Sequence, residues 1–170
     1  MKTNAKEVAL FGMLGALMYM SKMLMEILPN VHLLGVFTVA ITVVYRHKAL
    51  YPIYVYVFIN GLMAGFNMWW VPYLYIWTIL WGATMLLPQE IPTKVKPIVY
   101  MTICGVHGFL FGTLYAPAQA IMFGYDFDTM LKWIVAGLPW DFIQGVGNFV
   151  CGILIVPIIV VLRKMKNYVV

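Results

Sequence analysis

The chain has 170 residues, of which 64% are hydrophobic and only 10% are charged, and its formal net charge is +5. Soluble proteins contain about 25% charged residues, so this chain has too few charges to cover a surface exposed to water. A soluble enzyme, a disordered chain and a nucleic-acid-binding domain are therefore excluded. Cys104 and Cys151 lie inside apolar runs and form neither a disulfide framework nor a zinc-binding pair. We predict an all-α integral membrane protein.

Apolar runs divide the chain into six predicted transmembrane helices within a single membrane domain, residues 1–170. A helix that spans a bilayer needs about 20 apolar residues, and prolines or basic residues close most of the runs. The runs are 8–28, 31–45, 49–66, 71–87, 97–123 and 139–162. Pro117 is expected to kink the fifth run or to end its regular part. A short amphipathic piece, Thr129–Ala136, is expected before the sixth.

The distribution of basic residues predicts the orientation of these helices. Nine of the eleven lysines and arginines fall at the two termini or in the second and fourth connections. They are Lys2, Lys6, Arg46, Lys48, Lys94, Lys96, Arg163, Lys164 and Lys166. Cytoplasmic connections of membrane proteins carry an excess of basic residues. We therefore expect both termini in the cytoplasm, and the bilayer explains the basic charge without a nucleic-acid partner.

The sixth run carries a polar stripe. Asp141, Gln144 and Asn148 are spaced i, i+3 and i+7, so they share one face of a helix. Such a stripe either joins helices by hydrogen bonds or lines a pocket that descends from the outer surface. One carboxylate and two amides on a single stripe are more polar groups than contacts between membrane helices usually need, and this favours the pocket.

Aromatic residues gather around the third connection and the fourth run. Trp69 and Trp70 fit the belt of aromatic side chains found at membrane interfaces. Tyr73, Trp77 and Trp81 share one face of the fourth helix, and the two tryptophans lie too deep for that belt. They are either packing residues or stacking surfaces for a flat ligand.

Three ionisable residues inside the runs need a partner or a task. Lys22 and Glu26 are one helical turn apart, so they form an intrahelical pair, a charged contact with a ligand entering from outside, or both. His107 lies near the middle of the fifth run and is more typical of a structural hydrogen bond than of a ligand site. Cys104 is one turn away, but nothing nearby completes a ligand set, so we predict no metal and no cofactor.

Motifs of catalysis and of energy coupling are missing from the sequence. It has no Walker A loop, no Gly-x-Ser-x-Gly elbow, no His-Glu-x-x-His motif and no dinucleotide fingerprint. No internal repeat is visible, which disfavours a transporter built from two matching halves. We predict that the chain is not an enzyme and has no energy source of its own.

Small residues recur along one face of the first helix. Ala5 and Ala9 form an Ala-x-x-x-Ala pattern, and Gly12 and Ala16 continue it around Met13. The last helix contains Pro-Trp-Asp, then Gly-Asn, then a proline and a basic tail. With six crossings, both termini inside and no ATPase motif, the chain resembles the substrate-binding S component of an energy-coupling factor (ECF) transporter.

This resemblance implies a multi-pass protein of a prokaryotic plasma membrane that binds a vitamin or a related small, heteroaromatic nutrient with high affinity. It implies a membrane coupling subunit and two cytoplasmic ATPases as partners, with docking through Ala5, Ala9, Gly12 and Ala16. The family binds substrate at the external connections and the outer halves of helices 4 to 6. The corresponding residues here are Tyr73, Trp77, Gln119, Trp133, Trp140, Asp141, Gln144 and Asn148. To these we add His107 and Glu26 as candidate ligand contacts.

Two alternatives remain open. The first is a membrane enzyme with an intramembrane site formed by His107 and Asp141, which would have to lie within about 3 Å of each other or share one water. The second is a porphyrin- or sterol-binding membrane protein, suggested by the small size and the six tryptophans. The second alternative does not require the small-residue face on the first helix.

Overall fold

The structure is a computed structural model that describes residues 4–169, so Lys2 lies outside the described residues. The described part is helical and contains no strand, which confirms the all-α class. Its helices are α1 Ala5–Leu24, α2 Leu34–Tyr45, α3 Leu50–Ala64, α4 Tyr73–Met85, α5 Lys96–Phe109, α6 Phe111–Phe123, α7 Phe127–Cys151 and α8 Ile155–Val169. Short 3-10 turns occupy Arg46–Ala49, Met68–Trp70 and Gly152–Leu154.

Three helical stretches are long and apolar enough to cross a membrane, which is consistent with a membrane location. They are Ala5–Leu24, Lys96–Phe123 and Phe127–Tyr168, with 20, 28 and 42 residues. The helices α2, α3 and α4 have 12, 15 and 13 residues. At the rise of an α-helix each is roughly 18–23 Å long, whereas the hydrocarbon core of a bilayer is about 30 Å thick.

The predicted fifth helix is divided in two. The break lies at Leu110, between α5 and α6, and Pro117 is inside α6 rather than at its end. The Asp141 carboxylate on α7 accepts a hydrogen bond of 2.9 Å from the backbone N–H of Gly112. Amides in the first turn of a helix have no partner within the helix, so Asp141 satisfies one of them and stabilises the break.

The last predicted helix begins earlier than expected. The proposed boundary at Pro139 is wrong, because α7 runs from Phe127 through this proline to Cys151. The side chain of Asp126 accepts a hydrogen bond of 2.8 Å from the backbone N–H of Thr129 and so caps the first turn. The separate amphipathic piece is therefore the first part of α7.

Packing places α2 at the centre of the molecule. Apart from Val43, every residue of this helix is buried, as expected for a helix surrounded by other helices. It contacts α4 on one side and α8 on another, while α1 packs against α3 and α5 packs extensively against α7. The loops before α2 and α4 and the helices α6 and α7 surround the candidate site.

Basic residues from separate parts of the chain meet at one end of the bundle. Lys48 Nζ lies 2.6 Å from Glu7 Oε1 near the start of α1. Arg46 Nη2 donates a hydrogen bond of 3.1 Å to the carbonyl oxygen of Met85, at the end of α4. Lys166 in α8 hydrogen-bonds to a carbonyl at the end of α2. The beginning of α1, the α2–α3 turn, the end of α4 and α8 are therefore neighbours.

Candidate ligand-binding site

A cavity of about 410 Å³ lies between α6, α7 and the connections that precede α2 and α4. It is lined by Asn30, Trp69, Phe111, Gly112, Tyr115, Gln119, Phe123, Trp133, Gly137, Trp140, Asp141 and Gln144. Ligand sites usually measure about 300–1,000 Å³ and combine aromatic walls with a few convergent polar groups. This cavity has both properties.

A smaller cavity of about 200 Å³ adjoins it. The two share Asn30, Phe111 and Gln144 as lining residues. Glu26 and Tyr73 also line the smaller cavity. Gln144 therefore borders both cavities.

The structure brings many of the predicted binding residues together and leaves three aside. The larger cavity is lined by Gln119, Trp133, Trp140, Asp141 and Gln144, and the smaller one by Glu26, Tyr73 and Gln144. Trp77, His107 and Asn148 line neither cavity and are buried in the helix packing. The predicted set therefore contains both wall residues and packing residues.

Four buried polar atoms on α7 lack a hydrogen-bond partner within the described part of the chain, two of them on Asn148, and the other two belong to residues that line the larger cavity. The two at the cavity are Asp141 Oδ2 and Gln144 Nε2. The other carboxylate oxygen, Oδ1, accepts the Gly112 N–H. A Cβ atom on Gly112 would overlap this carboxylate, so the glycine permits the close approach. Since a buried polar atom without a partner costs about 1–3 kcal/mol, these two atoms are candidate contacts for a ligand.

Trp77 belongs to an aromatic cluster behind the cavity. Its side chain is 1% exposed, and its ring centroid lies 5.9 Å from that of His32, 6.1 Å from that of Tyr56 and 5.6 Å from that of His107. His107 Nε2 donates a hydrogen bond of 3.1 Å to the carbonyl oxygen of Ile76, since a carbonyl can only accept. Both residues are therefore packing residues of the interior in this structure.

Asn148 fills a contact between three helices. It is fully buried between Gly35 of α2 and Gly108 of α5, and a Cβ atom on Gly108 would lie 2.8 Å from Asn148 Nδ2. Glycines at such contacts allow helices to approach closely. The polar stripe of α7 thus divides: Asp141 and Gln144 line the cavity, and Asn148 lies deeper in the helix interface.

Trp69 lines the larger cavity, although the sequence indicates an interfacial belt. Its carbonyl oxygen accepts a hydrogen bond of 3.0 Å from the Tyr115 hydroxyl. Its ring packs edge-on against Tyr73, with centroids 5.6 Å apart. These contacts connect the α3–α4 connection to α6 and orient Trp69 toward the interior.

Sequence reasoning missed further wall residues, among them Asn30, Phe111 and Tyr115. Asn30 gave no signal, because it lies in an irregular connection. Phe111 and Tyr115 precede Gln119 at intervals of four residues, which places all three on one face of α6. Tyr115 also stacks on Trp133 of α7, with ring centroids 5.8 Å apart and planes at 16°. The four-residue spacing was the signal that could have identified this wall.

Lys22 joins two helices instead of pairing with its neighbour. Its Nζ donates a hydrogen bond of 2.9 Å to Asn60 Oδ1 on α3. The described residues show no ion pair between Lys22 and Glu26. Of the two interpretations of Lys22 and Glu26, the intrahelical pair is therefore wrong, and Glu26 is an exposed carboxylate beside the smaller cavity.

The small residues of α1 face away from the bundle. Ala5 and Ala9 are exposed, and Gly12 and Ala16 are half-buried. A Cβ atom on Gly12 would meet no other atom within 4 Å. This face is therefore free of contacts with the rest of the chain at Gly12, and its small side chains leave room for another helix.

The structure does not pair His107 with Asp141. Each hydrogen-bonds to a different backbone group, the Ile76 carbonyl and the Gly112 N–H. Within residues 4–169, no group of three or more histidine, cysteine, aspartate or glutamate side chains could hold a metal ion. Comparison of the chain with protein-family models, curated proteins and solved structures finds no match.

Proposed function

We propose that the chain is a membrane-embedded substrate-binding subunit, the S component of an ECF-type importer for a vitamin or related small heteroaromatic nutrient. The observation that carries this proposal is the aromatic cavity of about 410 Å³ with Asp141 Oδ2 and Gln144 Nε2 unpartnered at its wall. The chain acts by binding and not by catalysis.

The chemistry of the wall narrows the class of ligand. The carboxylate oxygen of Asp141 is an acceptor and the Gln144 amide nitrogen is a donor, one helical turn apart on α7. No lysine or arginine is among the described residues that line the larger cavity. A ligand with N–H donors or a positive charge complements Asp141, and the stacked rings of Tyr115 and Trp133 offer a wall for a flat ring system.

Six crossings with both termini in the cytoplasm fit the arrangement of the connections. Residues at the start of α1, in the α2–α3 turn, at the end of α4 and in α8 share the basic end. Residues of the first and third connections, Asn30 and Trp69, instead line the cavity with Phe123 at the end of α6. This alternation supports a cavity that faces outward, with α2, α3 and α4 crossing the bilayer together with residues of their connections.

Uptake then depends on partners. The small-residue face of α1, formed by Ala5, Ala9, Gly12 and Ala16, is the proposed docking surface for a membrane coupling subunit that acts with two cytoplasmic ATPases. Its open surroundings at Gly12 support this role. Small residues on a membrane helix allow a second helix to pack closely.

The proposal is tested by binding and uptake of the same compound. The purified protein is titrated with a panel of water-soluble vitamins and their precursors, and the fluorescence of the wall tryptophans is followed. We expect one compound to quench at one equivalent per chain, and its uptake by cells to require coproduction of the coupling subunit and ATPases. Uptake by the chain alone would contradict the proposal. Binding of a sterol or a porphyrin, when no vitamin or precursor in the panel binds, would contradict it as well.

A further inference from the structure

A third cavity, of about 210 Å³, lies at the basic end of the bundle and has a polar lining. Arg46 and Arg163 line it, together with Thr84, Gln89 and Tyr100. None of these residues lines the candidate ligand-binding site. The cavity brings together the α2–α3 turn, the end of α4 with its following connection, α5 and α8.

Arg46 is fixed at this cavity by an unusual backbone conformation. Its φ of 53° and ψ of −120° lie in a region that favours glycine. Two hydrogen bonds to α4, each 3.1 Å long, hold Arg46 there. Its Nη2 donates to the Met85 carbonyl, and its own carbonyl accepts from Trp81 Nε1. Such conformations persist where the surrounding structure over-determines them, often at ligand sites.

Neither arginine is neutralised by an acidic residue. The ion pairs of the described residues are Lys48 with Glu7 and Lys132 with Asp128, so no carboxylate pairs with Arg46 or Arg163. The side chain of Arg163 makes no hydrogen bond to the described part of the chain, and the residue is exposed. Two arginines without a carboxylate partner therefore line one polar cavity, and this arrangement favours an anion as its ligand.

The ligand class follows from the geometry of the donors. A guanidinium presents parallel N–H donors that match the oxygen atoms of phosphate, and basic pockets between membrane helices bind phospholipid headgroups. We propose that the cavity between Arg46 and Arg163 binds a phosphate-bearing anion, either the headgroup of an acidic phospholipid or a free phosphate compound. This site is independent of the nutrient-binding cavity.

The test compares two neighbouring basic residues of α8. Arg163→Gln removes a lining guanidinium, whereas Lys164→Gln removes the same charge from an exposed position outside the cavity. Each protein is mixed with phosphatidylglycerol, phosphatidylcholine or inorganic pyrophosphate, and bound molecules are counted by native mass spectrometry. Arg46→Gln is a second variant, but it also loses the hydrogen bond to Met85, so its folding is checked by circular dichroism.

We expect one phosphatidylglycerol or one pyrophosphate per chain, and the one that binds identifies the source of the phosphate. Arg163→Gln should weaken this binding by about tenfold, as expected for the loss of a charge-assisted hydrogen bond, while Lys164→Gln should bind like the unmodified chain. Equal binding of phosphatidylcholine, binding of neither phosphate probe, or equal losses in both variants would overturn the proposal.

Discussion

Asp141 has two oxygen atoms with different tasks, and two substitutions separate them. Asp141→Ala removes both oxygens, whereas Asp141→Asn keeps an oxygen that can accept the Gly112 N–H and replaces Oδ2 with an amide nitrogen. If the proposed site is correct, the first variant loses stability and affinity, and the second loses affinity alone.

The expected magnitudes follow from the buried hydrogen bond and the unpartnered oxygen. In the unmodified chain the buried Gly112 N–H donates a hydrogen bond of 2.9 Å to Asp141. Asp141→Ala leaves this N–H without an acceptor, which costs about 1–3 kcal/mol of stability. In Asp141→Asn this hydrogen bond remains. The ligand, however, loses a hydrogen bond to a charged group worth about 1.5–3 kcal/mol. Since 1.4 kcal/mol corresponds to tenfold, we expect affinity to fall roughly tenfold to a hundredfold.

Two measurements in detergent decide the outcome. The unfolding temperature of the ligand-free protein reports the capping of α6, and a fluorescence titration with the compound found in the vitamin screen reports binding. Asp141→Asn should unfold near the temperature of the unmodified chain and bind weakly. Unchanged affinity in this variant would refute the assignment of Oδ2 to the ligand and leave Asp141 with a structural role.

Three further predictions use matched pairs of variants. Trp77→Ala should cost about 3–5 kcal/mol of stability, as expected for a buried aromatic residue. Trp140 is 55% exposed and lies beside the cavity, so Trp140→Ala should reduce ligand affinity and leave the unfolding temperature nearly unchanged. The reverse pattern would contradict the assignment of Trp77 to packing and of Trp140 to the cavity wall. Gly12→Leu should abolish uptake and leave ligand binding intact. Gly82→Leu is the control, because a Cβ atom at Gly82 is equally unobstructed, and it should change neither uptake nor binding. Equal uptake by both variants would show that α1 is not the proposed docking surface. Hydrogen bonds from the side chain and the backbone of Thr129 lower the pKa of Asp126 from its usual value of 3.8. The ionised Asp126 side chain therefore stabilises the fold above pH 3.8, and this contribution is lost as the pH falls through the lowered pKa. Asp126→Ala should therefore unfold at a lower temperature than the unmodified chain at pH 7, and the difference should disappear in strong acid. Asp126→Asn keeps a neutral cap of the helix. A difference in unfolding temperature that does not depend on pH would argue against a role for the ionised carboxylate.

Local sequence patterns predicted the helical class and part of the site because both depend on neighbouring residues. The apolar runs indicated helices, and the three-residue spacing of Asp141 and Gln144 placed both on one face of α7. The same spacing rule included Asn148. Its position between glycines of α2 and α5 depends on which helices are neighbours, and spacing within one helix does not contain that information.

Long-range contacts explain most of the differences between prediction and structure. The break at Leu110 is stabilised by a hydrogen bond between residues 29 positions apart in the sequence, so the local pattern favoured Pro117 instead. Trp77 and Trp140 have the same hydropathy, yet the first is buried among other rings and the second is beside the cavity. Composition alone does not distinguish a tryptophan that packs in the interior from one that lines a cavity.

Native mass spectrometry of the protein purified from cells grown in rich medium tests the central proposal most directly. After gentle release, any small molecule that accompanies the chain is identified by its mass and fragmentation. We predict one water-soluble aromatic heterocycle per chain, with N–H donors or a positive charge, and its loss from Asp141→Asn. A stoichiometric sterol or porphyrin that is lost from Asp141→Asn would contradict a nutrient-binding subunit.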